Sequence, residues 1–244
     1  MGKTVAVFIA YNAAKTLGNF YKQFPRDLCD QIILVDDASV DNTFSLAQKL
    51  GIESYRNKTN LGYGGNMKIA LSLALKNGAD IIIDIHPDGE YKPSAISVAL
   101  DKIRGGSQFV LGNRFTSLTK PIKNGMYIWK LIPLRILNSI DSLLFGVRLN
   151  DFHQGFRVYT SIMLNRVNFQ ENSNNYLFSF ELIAQAIYNK VKISQVPVET
   201  SYRGKKRGAS LKNSCIYSLG TFKVLLLFIL ARHGFKFTLF QKPI

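Results

Sequence analysis

The stretch Ile81 to Pro93, IIIDIHPDGEYKP, constrains the fold of this chain more than any other. Three consecutive isoleucines followed by Asp84 and Ile85 read as a strand buried on both faces, and such all-apolar runs belong to mostly parallel sheets covered by helices. At its C-terminal end the run turns polar. His86, Asp88 and Glu90 alternate there, separated by Pro87 and Gly89, so a turn gathers an imidazole and two carboxylates into a small volume. In an open α/β sheet the crevice beyond the carboxyl ends of the strands is where ligands bind. Carboxylate oxygens placed there suit a hard divalent cation, Mg2+ or Mn2+, shared with substrate phosphates. Taken alone, the same residues could equally make a solvated strand-to-helix turn with an acidic cap, so the remainder of the chain decides.

The remainder repeats the pattern. Val5 to Ala10 is an apolar run ending in Tyr11 and Asn12, and Ile32 to Val35 is a second, ending in Asp36 and Asp37. Phe109 to Leu111 delivers Gly112, Asn113, Arg114 and Phe115, while Ser54 and Tyr55 read as an edge strand and Ile193 to Val198 as the last one. Helical segments lie between them, at Ala13 to Tyr21, from Thr43 through Leu50, and at Met67 to Lys76, Ser94 to Arg104 and Phe178 to Asn189. Strand, helix, strand, with a polar residue at each strand end, is a doubly wound α/β pattern. Adjacent carboxylates at a buried strand end are costly unless they bind something. Asp37 could accept hydrogen bonds from a base or ribose, whereas Ser39 and Asp41 suit turn and cap positions. Asn60 to Asn66 reads as a glycine-rich loop opening onto a helix, which can cradle phosphate or simply turn tightly. Asp151 to Arg157 is a second dense polar cluster, expected to precede a helix.

The chain has 244 residues, 47% hydrophobic and 19% charged, which excludes a disordered protein. Its net charge of +15 is unevenly placed, with nine Lys or Arg and no acidic residue from Thr200 to Ile244. A basic face attracts polyanions, and no nucleic-acid-binding motif accompanies it. Two cysteines make neither a metal framework nor a disulfide scaffold, and the N-terminus enters a strand without the features of a signal peptide, which points to a cytoplasmic setting. Lys123 to Leu149 carries apolar residues at helical spacing with Lys130, Arg135, Arg148 and Trp129, and Pro133 is expected to kink or divide it. Such a stretch could be a core helix pair; its large apolar and basic residues suit a helix lying in a membrane interface better. Ile216 to Leu230 is expected to be an amphipathic interfacial helix, shorter than the ~20 residues needed to cross a bilayer. Residues 1–212 then form the α/β domain and 213–244 a basic amphipathic tail, on a protein peripherally bound to the inner face of an anionic membrane. The same apolar helices could instead pair with another copy of the chain as an oligomer.

With these residues laid out, the sequence from about Val5 to Lys212 resembles the family-two glycosyltransferases, and among them the dolichyl-phosphate mannose synthases and bacterial polyprenyl-phosphate glycosyltransferases. The resemblance rests on seven elements in order. They are Ala10-Tyr11-Asn12, Val35 to Thr43 as V-D-D-x-S-x-D-x-T, Asn60-Leu61-Gly62, His86-Pro87-Asp88-Gly89-Glu90 on the metal motif, Gly112-Asn113-Arg114-Phe115, Asp151 to Arg157 as D-x-x-S-G-F-R, and a loose basic loop at Arg207 to Lys212. It implies a GT-A fold, a nucleotide-sugar donor and a divalent metal. Ala10, Tyr11, Asn12, Asp37, Lys68, His86 and Asp88 would bind the donor. Asp88 would be the principal metal ligand, with His86 and Glu90 beside it, and Arg114, Arg157, Arg203 and Arg207 would hold acceptor or donor phosphates. The chain departs from the family at Ala13, where a glutamate is common, at His86 and Glu90, where Asp and Gln are usual, and at Gln154, which replaces a serine. A histidine ligand favours manganese over magnesium, unless His86 supports the site from behind.

The implied activity is transfer of a hexose or related sugar from a UDP- or GDP-sugar to a phosphate-terminated polyprenyl carrier, with inversion. Asp88, Arg114 and Asp151 are the expected catalytic residues. A lipid phosphate needs no strong base; if the acceptor is a sugar hydroxyl of a cell-surface polysaccharide, Asp151 is the expected base and His153 the weaker candidate. The substituted metal motif also leaves open a nucleotide-sugar-binding relative without catalysis.

Overall fold

The computed structural model describes residues 2–117, 119–202 and 211–242, so Arg203 and Arg207 lie outside the described residues. β1 (Thr4–Ala10) is buried along its whole length, and its alternation sets the layers. Val5, Val7 and Ile9 face one core while Ala6, Phe8 and Ala10 face the other, because successive side chains of a strand point to opposite faces. β2 (Gln31–Asp36), β3 (Glu53–Arg56) and β4 (Ile81–Asp84) extend the sheet in parallel on either side of β1. With β5 (Phe109–Asn113), β6 (Arg157–Thr160) and β7 (Ile193–Pro197), the described residues form a seven-stranded sheet in the order β3-β2-β1-β4-β6-β5-β7.

One face is covered by α1 (Ala14–Gln23), α2 (Thr43–Lys49) and α4 (Ala95–Arg104), through residues such as Leu17, Phe20, Ala47, Ile96 and Ala99. The other carries α3 (Gly62–Lys76), α8 (Phe178–Tyr188) and α9 (Leu211–Arg232), with Phe145 from the end of α6 (Ile128–Phe145). Short α5 (Lys120–Lys123) and α7 (Ser161–Leu164) complete the helices named here. β1 lies between β2 and β4, so the chain runs outward to β3 on one side and resumes on the other. The carboxyl ends of β1 and β4 therefore flank a topological switch point, the place where such sheets bind ligands.

Five features depart from the sequence expectations. The segment after Asp151 contains a strand, β6, antiparallel to both β4 and β5, where only a polar cluster and a helix were expected. Four residues are too few to show an alternation, and the first of them, Arg157, is charged. The glycine-rich run is already helical, since α3 begins at Gly62. α6 is one continuous helix through Pro133, whose missing N–H forfeits a single bond to the Trp129 carbonyl on an exposed side of the helix. α9 spans 22 residues, and within it Asn213–Arg232 is long and apolar enough, by length and composition, to cross a membrane. It is not amphipathic: Val224, Leu225, Phe228 and Ala231 are buried, while Ile216, Leu219, Phe222 and Leu226 are apolar and exposed. Because those four buried residues belong to the larger core, position 212 is not a packing boundary and residues 213–232 are no separate tail.

Candidate active site

Each strand that ends at the switch point delivers a polar group that is fixed by a neighbour. After β1, Asn12 adopts φ 52°, a left-handed conformation that asparagine tolerates better than most residues. Its N–H donates to Ser39 Oγ at 2.8 Å and its Oδ1 accepts from Val40 N–H at 3.0 Å, tying the end of β1 to the turn after β2. Ala10 is buried and Tyr11 is half-exposed at the mouth of the crevice.

After β2, Asp37 is buried and spends both oxygens on the segment that enters α3. Oδ1 accepts from Leu61 N–H at 2.8 Å and from Asn57 Nδ2 at 2.9 Å, and Oδ2 accepts from Gly62 N–H at 3.0 Å. The Leu61 and Gly62 N–H groups are ones that a helix start leaves without intrahelical partners. Asp37 thus organises the glycine-rich turn, whatever else it touches. Further into α3, Gly64 N–H donates to the Asn174 carbonyl at 2.7 Å, and a Cβ on Gly64 would stand 2.1 Å from the Ser173 carbonyl oxygen. Lys68 Nζ donates to Asn174 Oδ1 at 2.9 Å, and partial burial moves its ammonium pKa down. The Ser173 to Tyr176 segment is itself anchored by Glu181 of α8, whose two oxygens accept from Ser173 N–H and Oγ at 2.6 and 2.7 Å.

β4 ends on Asp84, fully buried, which accepts from Tyr159 Oη at 2.8 Å and faces Arg157 Nη1 at 3.5 Å. His86 turns inward: Nε2 stands 3.4 Å from Asp84 Oδ1, and neither atom has a hydrogen-bond partner. Burial alone would lower the His86 pKa, but the carboxylate of Asp84, helped by Asp88, raises it. Asp88 is half-buried where the chain opens to the crevice, and its Oδ1 accepts from Glu90 N–H at 2.9 Å. Glu90 is half-buried as well, and burial, reinforced by Asp88, raises its pKa against the pull of Arg114.

Among the described residues no group of three His, Cys, Asp or Glu side chains is placed to share a metal ion, so the expected set of Asp88, His86 and Glu90 is corrected. His86 uses its ring to face Asp84 from within. What remains fits a hard cation of the kind that takes one or two carboxylates and completes its shell with water and substrate phosphate. Asp88 meets that need, with Glu90 two residues on.

β5 ends beside the 151–157 cluster. Arg114 is buried and grips Asp151 in a fork, Nε to Oδ2 at 2.7 Å and Nη2 to Oδ1 at 2.8 Å. Its remaining donors reach Tyr202 Oη at 3.1 Å and the His153 carbonyl at 2.6 Å. Asp151 has no exposed surface and both oxygens engaged, so the expectation that it takes a proton from an acceptor hydroxyl is corrected. Arg114 likewise has no fork left for a phosphate. Arg157, on β6, is also buried: it donates to Tyr63 Oη at 3.2 Å and to the Gln154 carbonyl, and faces Asp84, so it braces the floor of the site and is not an open phosphate ligand. Tyr63, Tyr159 and Tyr202 finish these networks, and Tyr91 Oη accepts from Gly155 N–H at 2.8 Å; none of the four is a site residue in the sequence reading. Only Tyr63, a large aromatic set among glycines, carried any signal in the sequence.

The model for the family described as glycosyl transferase family 2 matches residues 5–171, which takes in β1 through β6 and every strand end described above. The chain belongs to that family. This family-2 glycosyltransferase is 30% identical over 211 residues to the UDP-N-acetylglucosamine--dolichyl-phosphate N-acetylglucosaminyltransferase of Methanococcus voltae, covering 79% of this chain and 83% of that protein. It is 23% identical to the polyprenol monophosphomannose synthase of Mycolicibacterium smegmatis, covering 87% and 84%. Its fold is that of glucosyl-3-phosphoglycerate synthase from Mycobacterium tuberculosis, whose complex with Mn2+, uridine diphosphate and phosphoglyceric acid superimposes with a TM-score of 0.69 at 15% identity, covering 97% of this chain and 80% of that one.

Proposed function

We propose that this glycosyltransferase moves a sugar from a nucleotide-sugar to the phosphate of a polyprenyl carrier, with inversion at the anomeric carbon. The observation that carries the reading is the closed pair of Arg114 and Asp151. The carboxylate best placed by sequence to deprotonate a hydroxyl has both oxygens held by a guanidinium, which suits an acceptor that is already anionic. A phosphate oxygen then attacks the anomeric carbon as the bond from that carbon to the diphosphate breaks, leaving a sugar phosphoester and a nucleoside diphosphate. The named relatives act, by their names, on dolichyl phosphate and polyprenol monophosphate, which supports the same class of acceptor.

Within this reading the crevice between β1 and β4 takes the donor. Tyr11 stands at its mouth, Asp37 and Asn12 hold the turns that shape it, and Lys68 lies at its helical wall. Asp88 would hold a divalent cation, Mn2+ or Mg2+, which stabilises charge on the departing diphosphate. The protein's own contribution is to fix that carboxylate through the Glu90 N–H and to keep Asp84, His86 and Arg157 packed beneath it.

Peripheral association with an anionic membrane completes the reading. α6 exposes Trp129, Ile132, Ile136 and Leu143, and α9 exposes Ile216, Leu219, Phe222 and Leu226, on a chain of net charge +15. Crossing the bilayer would draw Val224, Leu225 and Phe228 out of the core, which supports the surface placement over a span.

The test is nucleotide release from UDP- and GDP-sugars by purified protein with Mn2+ or Mg2+, with and without polyprenyl phosphate, beside Asp88→Ala. Metal-dependent release stimulated by the lipid and abolished in the variant is expected. Release stimulated by a soluble sugar acceptor and indifferent to polyprenyl phosphate would overturn the reading.

A further inference from the structure

The 151–157 segment carries a histidine, His153, whose ring joins two helices that the sequence places far apart. Its Nε2 stands 2.8 Å from Asp141 Oδ2 on α6, and its Nδ1 stands 3.0 Å from Tyr217 Oη on α9. The ring stacks on Phe180 of α8 at 5.4 Å between centroids and 15° between planes. His153 is buried to within 4% of its side-chain surface and Asp141 completely. On the other side of the same residue, the His153 carbonyl accepts from Arg114 Nη2 at 2.6 Å. One residue therefore touches the two helices with exposed apolar faces through its ring and the Arg114–Asp151 pair through its backbone.

One tautomer uses every group: with Asp141 ionised, Nε2–H donates to it and Nδ1 accepts from the Tyr217 hydroxyl, which burial keeps protonated. Both ring nitrogens are then used, each in one direction. An apolar contact would tolerate sliding of α6 against α9; two directed bonds to one rigid ring form together only when both helices are in place. The ring lies flat against Phe180, and both bonds are partly buried.

We infer that His153 is a positioning residue that couples the seating of α6 and α9 to the geometry of Arg114 and Asp151, so that engagement of the two helices by the lipid acceptor aligns the acceptor side of the site. This rests on the polyprenyl-phosphate reading for the identity of the acceptor, while the mechanical link itself does not.

Three full-length variants test it. Tyr217→Phe removes the α9 arm, His153→Leu removes both arms while keeping volume, and His153→Gln keeps one donor and one acceptor. Tyr217→Phe and His153→Leu are expected to raise KM for polyprenyl phosphate on the order of tenfold. Nucleotide affinity and acceptor-independent donor hydrolysis should stay unchanged in Tyr217→Phe, and His153→Gln should restore much of the acceptor KM. Equal losses in donor and acceptor parameters, or no change in acceptor KM, would overturn the coupling. If the wild type transfers nothing to a lipid, the acceptor reading fails, and hydrogen exchange still decides the link. Faster exchange in Tyr217→Phe at residues 113–115 and 151–153 as well as along α9 sustains it, and faster exchange confined to α9 overturns it.

Discussion

Arg114 and Asp151, 37 residues apart, meet through two parallel bonds of 2.7 and 2.8 Å with both side chains buried. The pair welds the end of β5 to the segment that enters β6. Removing one member leaves an uncompensated buried charge, so Asp151→Asn or Arg114→Met should lower stability by about 3–5 kcal/mol in chemical denaturation. The double variant Arg114→Met/Asp151→Leu should regain most of that loss, because it leaves no unpaired charge in the buried site.

Gly64 and Gly18 give opposite expectations for the same substitution. A Cβ on Gly64 would meet the Ser173 carbonyl at 2.1 Å and Phe178 Cβ at 2.8 Å, both fixed atoms, whereas nothing lies within 4 Å of one on Gly18 inside α1. Gly64→Ala should cost about 1–3 kcal/mol and weaken nucleotide binding, because the wall of the donor crevice must shift. Gly18→Ala should stabilise the protein by roughly 0.5–1 kcal/mol. Melting curves and nucleotide titration read both.

The His86 and Asp84 pair predicts a pH dependence. The folded-state pKa of His86 is raised above the ordinary 6.5, so its contribution to stability is complete below 6.5 and is lost as pH rises through the higher folded value. Melting temperature measured with EDTA present should therefore decline as pH is taken upward from 6. His86→Gln should flatten that decline; an unaltered slope in the variant would exclude this pair as its source.

The two sides of α9 should respond differently. Leu219→Gln with Phe222→Gln alters exposed positions, and is expected to leave the melting temperature nearly unchanged while weakening sedimentation with phosphatidylglycerol vesicles. Phe228→Ala empties a fully buried position that touches Phe145, Tyr188 and Phe240, and should cost about 3–5 kcal/mol.

The strands legible in the sequence were those whose burial on both faces writes an unbroken apolar run, as in Ile81 to Ile83 or Ile32 to Val35. β6 was hidden because its first residue, Arg157, is an ion-pair member and its strand character is confined to Val158, Tyr159 and Thr160. The polar positions of the site were legible for the same reason the strands were, since charge at the end of an apolar run stands out. Their partners were not. Whether Asp151 is open to an acceptor or closed by Arg114 depends on a contact across 37 residues that no local pattern distinguishes, whereas the two-residue alternation of a strand already puts Asp84 and His86 on one face. α9 reads as short in the sequence because polar residues such as Asn213 and Ser214 at its start mask the first turn of a helix that packs against α8.

The participation of Val224, Leu225 and Phe228 in the larger core has a consequence for the order of events during synthesis. β1, β2 and β4 are complete by residue 84, yet part of the apolar surface that closes over their neighbours arrives only with residues 211–232. At ribosomal speed that interval is on the order of ten seconds. For its duration the nascent chain carries a sheet still gaining strands, with a partly uncovered flank, and a chaperone or a membrane surface that meets it then meets a more adhesive object than the mature enzyme.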